Sequence, residues 1–360
     1  MVIVPREPVN ATQMHPLTRR QMLRAMLATG AGAVLGPLAA GLGDEALSTL
    51  TAATRPATQP TTRPAATLGM VRPWWLNAPH TRSRVVEVTS DRAMTGSVPD
   101  PGGVEDLLGQ GVQALTEASS PDVAWQRILG PAQRIVLKFD PTAARLLNTT
   151  ETLARVLVQQ LGEAGYHPRT IALLDVPHYL GRALGTRAPE RGWGEPVTVA
   201  GEPVQLARYL LEADALVNIP CPVAGGLFRM TCCVSQLALS FLRHPARWYD
   251  ESRWARVTEV IGLEAISGKV RLNLVNALRV VLADGADARS TDLADVGGIQ
   301  LGYDPVAVDA KALDLVLRER RRVDLDASVE SPFMAAAERL GLGRVAVNDV
   351  EHIVIGPGRR

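Results

Sequence analysis

Six polar residues of this chain fall where predicted strands end or predicted helices begin: Lys138, Asp140, Asp175, Asn218, Asp284 and Asp309. Lysine occurs only at Lys138, Lys269 and Lys311, so an ammonium closing an apolar run stands apart from an otherwise arginine-based charge set. A lysine beside carboxylates can act as acid, base or anchor for an anion. Clustered aspartates with an asparagine could instead hold a hard cation such as Mg²⁺ or Ca²⁺. Loop capping and solvation explain the same residues taken singly, so convergence on one rim is what would separate chemistry from punctuation. Lys138, Asp175 and Asp309 are the candidate catalytic groups; Asp140, Asn218 and Asp284 are candidate ligand-binding groups.

Asp304-Pro305 reads as an N-cap followed by a first-turn proline, a structural pairing. Asp309, between Val308 and Ala310, is different: a carboxylate on an apolar helix face requires a partner, and Lys311 projects elsewhere on the helix. Gly225, Gly226 and Arg229 precede a predicted helix and could cradle a phosphate or carboxylate at its first N–H groups. The glycine pair matches neither G-x-G-x-x-G nor a phosphate-binding loop, and backbone turning is its competing role. Cys221, Cys232, Cys233 and His244 have no compact zinc spacing, so packing is expected, without a metal site or a disulfide framework. Ser235 has no nucleophile-elbow context.

Strands and helices must alternate to place these groups. Apolar runs at 84–89, 134–140, 169–175, 215–219, 270–283, 295–301 and 347–355 read as strands, with a further short strand within 195–204. Periodic stretches at 104–118, 149–165, 205–212, 230–241, 248–266, 304–322 and 332–340 read as helices. The pattern predicts an α/β fold, a mostly parallel or mixed sheet flanked by helices. In such sheets ligands bind beyond the carboxyl ends of the strands. The stretch from Ala213 to Pro245, a strand, a glycine-bearing loop and a helix, is the central unit.

Over residues 84–355 the chain resembles the family called domain of unknown function 362. The resemblance rests on six segments in family order: Ile135 to Asp140, Ile171 to Pro177, Ala213 to Pro220, Thr231 to Leu242, Leu272 to Leu278 and Asp304 to Asp309. It implies a redox context, because members resemble proteins fused to or paired with ferredoxin-type iron–sulfur modules. This chain has no C-x-x-C-x-x-C run for such a cluster, so an electron-transfer role implies a separate redox partner. The chain also departs from the family pattern. Val223-Ala224-Gly225 stands in place of Lys-Thr-His, Ser235-Gln236 in place of Lys-Asn, Asn276 in place of an acid and Asp140 in place of Asn. Asn276 joins the ligand-binding candidates. The departures imply a changed substrate or lost catalysis, leaving a non-catalytic ligand-binding or protein-interaction role as the alternative; a metal-dependent hydrolase or transferase is a third reading, resting on the carboxylates. The cofactor is unknown, and a small anionic molecule is the expected ligand.

Thr18-Arg19-Arg20-Gln21-Met22-Leu23 and the acid-free Ala/Gly/Leu run to Gly43 resemble a twin-arginine export signal, which places the protein in the periplasm or cell envelope. The many glycines make that run a poor spanning helix, so membrane attachment is expected only through an uncleaved signal. Residues 44–70, rich in Pro, Thr and Ala, read as a disordered linker, and 71–360 as a single α/β domain. Of 38 basic and 37 acidic residues, four arginines and one glutamate precede residue 44, so the remainder is slightly acidic. No basic field suited to nucleic acid remains.

Overall fold

The computed structural model describes residues 70–77 and 81–356. Arg19-Arg20, the Ala/Gly/Leu run after it and the stretch up to residue 69, where an export signal and a linker are expected, lie outside these residues. The protein has an α/β fold built on a nine-stranded mixed sheet. Its strands are β1 (Ser83–Thr89), β2 (Ile135–Phe139), β3 (Ile171–Leu174), β4 (Ala215–Ile219), β5 (Val223–Ala224), β6 (Met230–Thr231), β7 (Val270–Val281), β8 (Leu293–Gly302) and β9 (Val350–Ile355). The main order is β9-β1-β8-β7-β4-β2-β3, with β5 paired to β7 and β6 to β5. Along that path β8 runs antiparallel to β1 and β7, while the other pairings are parallel. The carboxyl ends of β2, β3, β4 and β7 therefore share one edge, since these strands run parallel.

Side chains alternate across a strand, so each buried strand serves two cores. Ile135, Leu137 and Phe139 of β2 pack with Val217 and Ile219 against α1 (Pro101–Thr116), α2 (Pro121–Leu129) and α3 (Thr150–Glu163). Val136 and Leu216, of opposite parity, join Val234, Leu237 and Ala238 of α4 (Cys233–Leu239) on the other face. That face also carries α5 (Pro305–Arg322) and α6 (Pro332–Arg339). Lys138 shares the parity of Val136, and Asn218 that of Leu216. Both are thereby directed to the α4 face.

Several local expectations change. The periodic stretch at 230–241 begins as strand, because Met230 and Thr231 pair with Ala224 and Val223, and α4 starts only at Cys233. The stretch at 248–266 is a series of short turns and helices, with Asp250 capping the piece Glu251–Val257 through a bond from Ser252 N. Residues 205–212 form one short helical turn, Arg208–Leu211. Residues 195–204 fold into a hairpin, Val197–Val199 with Glu202–Val204, separate from the main sheet. The apolar run at 270–283 forms one strand, β7, with register shifts at Val270/Leu272 and Ala277/Arg279.

Candidate functional site

Lys138, Asn218 and Asn273 form one row across the sheet, since Lys138 is registered with Asn218 and Asn218 with Asn273. All three are buried. The Lys138 ammonium donates to its neighbour's carbonyl, Phe139 O, at 2.9 Å and lies 2.5 Å from an Asp175 carboxylate oxygen. Asp175 sits just past β3 with φ +58°, a left-handed turn that aspartate tolerates better than most residues. Asp140 lies at the end of β2 and accepts from Thr142 N at 2.6 Å. Burial pushes the Asp140 carboxyl above its ordinary range, against the pull of Lys138, and the buried Cys221 thiol hydrogen-bonds to it. Burial likewise raises Cys221 well above an ordinary thiol, so it is the donor in that contact.

The first turn of α4 is tied to this row. Gln236 donates to Lys138 O at 3.0 Å and to Asn218 Oδ1 at 2.8 Å. Asn218 in turn donates to Asn273 Oδ1 at 2.9 Å and to Cys233 O at 3.3 Å, and Asn273 donates to Tyr303 O at 2.9 Å. A continuous polar chain thus crosses an otherwise apolar interface, each member satisfied as burial demands. Asp309 supplies the other tie. Its two oxygens accept from Cys233 N at 2.7 Å and Val234 N at 3.1 Å, so the partner its burial required is the N-terminus of α4. Burial, partly offset by these N–H groups and by the Cys233 and Cys232 thiols, pushes the Asp309 carboxyl up to about 7.

Lys138, Asp140 and Asp175 form one group, and Asn218 and Asp309 connect to it through α4. Asn276 is not part of it. It stands three residues beyond Asn273, so strand alternation turns it to the opposite face, where it donates to Thr149 Oγ1 at 2.9 Å at the start of α3. Gly225, Gly226 and Arg229 do not lead directly into a helix, because β6 intervenes, and the first N–H groups of α4 are already held by Asp309. The Gly225–Gly226 turn packs instead on the Asp284–Gly285 backbone, with both glycines and Asp284 at positive φ. Asp284 is exposed there, and Arg229 ion-pairs with Glu330.

Asp304 is the N-cap of α5, accepting from Val306 N and Ala307 N, and also receives Ser83 Oγ and Arg344 N. The three cysteines are free and buried. Among the described residues, one group has thiol and carboxylate atoms converging within 4.8 Å: Cys232, Cys233 and Asp309. Such a donor set could suit a soft metal. Here burial raises both thiols, Cys233 to about 12, and both Asp309 oxygens already serve α4.

Two features escaped sequence reasoning. Gln236 and Asn273 are central to the buried chain, yet asparagine in a strand and glutamine in a helix carry no spacing signal, and Gln236 enters only as part of the Ser235-Gln236 departure, without a role. The second is a separate cluster on β1. Glu87 lies 2.7 Å from Arg318, 3.0 Å from Gln300 and 3.3 Å from His352. Burial alone would raise Glu87, but these partners outweigh it and hold the carboxyl down at about 2. Its signal was a charge on the core-facing parity of RVVEVT.

A family model described as domain of unknown function (DUF362) matches residues 185–314. The match holds β4, α4, β7, β8 and the start of α5, with Asn218, Gln236, Asn273 and Asp309, whereas Lys138, Asp140 and Asp175 precede it. No curated protein matches the sequence significantly. Among solved structures, the lactate racemase apoprotein from Thermoanaerobacterium thermosaccharolyticum is similar at 10% identity with a TM-score of 0.37. The alignment covers 64% of this chain and 56% of that one, so the chain spans about half the length of that relative.

Proposed function

We propose that this protein binds a small anionic molecule at the rim formed by the loops after β2, β3 and β4, with Lys138 as the anchor. One observation carries the reading: a buried ammonium is neutralised by the one carboxylate of its group that reaches solvent. The Lys138 side chain is 2% exposed and that of Asp175 20%, so a competing oxyanion arriving from outside meets Asp175 first and can take its place at the ammonium. In the same site Asp140, raised by burial, is suited to hold a proton near a bound anion and to give it up when the local charge changes. A redox-linked reaction is the finer form of this proposal. It needs an electron carrier on a separate partner. Export by the twin-arginine route to the periplasm or cell envelope completes it, on the strength of the Arg19-Arg20 motif.

Isothermal titration with inorganic phosphate, malonate and succinate tests the reading in the wild type, Lys138→Met and Asp175→Asn, each checked for folding by circular dichroism. Asp175→Asn removes the competitor and should bind at least one of these anions more tightly than wild type, while Lys138→Met should bind none. No response from folded wild type and folded Asp175→Asn would end the proposal.

A second reading has its own observation. Every named polar side chain of the Lys138–Asp175 pair and of the Asn218–Gln236–Asn273 chain has an internal partner, so the group can hold α4 onto the sheet without a ligand. Together with the uncharged Val223-Ala224-Gly225 segment, this supports a non-catalytic member acting by protein interaction.

A further inference from the structure

A cleft of about 220 Å³ opens between the Val197–Val204 hairpin and the segment that follows α4. None of its lining residues belongs to the Lys138 group. Val204, Leu242 and Trp248, all buried, form an apolar base, while the exposed Arg243, His244 and Arg247 stand around it. Cations outnumber carboxylates around this mouth: Glu202 faces three guanidinium groups, Arg247 at 3.3 Å, Arg253 at 3.1 Å and Arg256 at 3.9 Å, and Asp250 acts on Arg253 as a second acid. Arg253 also lies 5.6 Å from the Trp248 ring centroid, a further cation near the cleft although not part of its lining. Arg243 donates to Gln205 Oε1 at 2.6 Å, a neutral partner that holds the guanidinium in place without cancelling its charge.

We propose that this cleft is a second binding site, for a small organic carboxylate with an apolar body of one ring or a short chain. An apolar base removes hydrocarbon from water in proportion to the area covered, and cations at the mouth accept the carboxylate by charge-assisted hydrogen bonds. Neither half suffices alone. An inorganic anion leaves the base unfilled, and a neutral analogue brings no charge to the guanidinium groups at the mouth. The size limits the ligand, since pockets for drug-sized molecules begin at about 300 Å³.

The test is isothermal titration of the full chain with benzoate and hexanoate, against benzyl alcohol and inorganic phosphate. The informative variant is Arg243→Gln with His244→Gln, because both side chains are exposed and outside the Glu202 network, so the fold should persist; circular dichroism checks this. Saturable binding of at least one carboxylate is expected. It should weaken about tenfold or more in the double variant and for benzyl alcohol, as loss of a charged hydrogen bond implies. Lys138→Met should bind the carboxylate as wild type does, which separates this cleft from the rim. Absence of saturable carboxylate binding, unchanged binding in the double variant, phosphate binding to Lys138→Met as tight as that of benzoate, or loss of benzoate binding in Lys138→Met that circular dichroism shows to be folded would each overturn the proposal.

Discussion

Lys138 and Asp175 form an ion pair at 2.5 Å whose members meet solvent unequally, 2% of the lysine side chain against 20% of the aspartate. The asymmetry predicts an asymmetry in stability. Asp175→Asn strands an ammonium in the interior, where breaking a buried pair costs about 3 kcal/mol or more. Lys138→Met leaves behind a carboxylate that water can still reach, and a methionine that fits the vacated channel, so its cost should be about half as large. Urea denaturation of the two variants at neutral pH measures the difference. Equal costs would mean that the pair is not desolvated from one side.

The same pair shows how far the sequence could be read. That β2, β3 and β4 end on one edge follows from apolar runs alternating with helices, and with it the convergence of Lys138, Asp140 and Asp175. Asp304 was legible as a cap because Asp-Pro at a helix start has a local meaning. Asp309 was legible as a carboxylate in need of a partner, but not which partner, because Cys233 and Val234 are brought to it only when α4 docks against α5. Asn276 lies apart from the Lys138 group for the complementary reason. Its place along the chain is near the rim, but its odd spacing from Asn273 along an unbroken stretch of β7 turns it to the other face. The glycines at 225 and 226 were read against a helix start, when a two-residue strand, too short for periodicity, separates them from it.

Asp309 sets a pH dependence of definite sign. Its folded-state carboxyl is raised from 3.8 to about 7, so the folded protein retains a proton that the unfolded chain releases. Stability from this group is complete below about pH 4 and declines as pH rises to about 7. Asp309→Asn cannot titrate. The stability gap between wild type and variant, measured by urea denaturation from pH 4 to 7.5, should therefore shrink as pH rises. A gap that stays constant over that range would show that Asp309 ionises at an ordinary pH.

Glu87 acts in the opposite direction. Held down at about 2 against an ordinary 4.5, it is ionised in the folded protein at pH values where the unfolded chain has taken up a proton. Its contribution is fully present above about pH 4.5 and is lost as pH falls toward 2. The difference corresponds to roughly 3 kcal/mol. Glu87→Gln should cost about that much at pH 7 and almost nothing near pH 2, leaving a shallower acid-denaturation profile. Thermal unfolding of both proteins between pH 2.5 and 7 reads the effect, and a penalty independent of pH would assign Glu87 a packing role only.

The turn that carries Gly225 and Gly226 offers a paired test of backbone against space. Both residues have positive φ, +92° and +73°, so alanine at either pays the left-handed penalty of about 1 kcal/mol. Only at Gly225 would the new Cβ also collide, lying 2.4 Å from Asp284 N and 2.9 Å from Gly285 N. At Gly226 its nearest neighbour is Gly285 Cα at 3.8 Å, an ordinary contact. Gly225→Ala must therefore push the Asp284 turn away from β5 and should cost about 3 kcal/mol, with Gly226→Ala near 1 kcal/mol. Denaturation midpoints that coincide for the two variants would show that the Gly225 turn is not packed against Asp284 in solution.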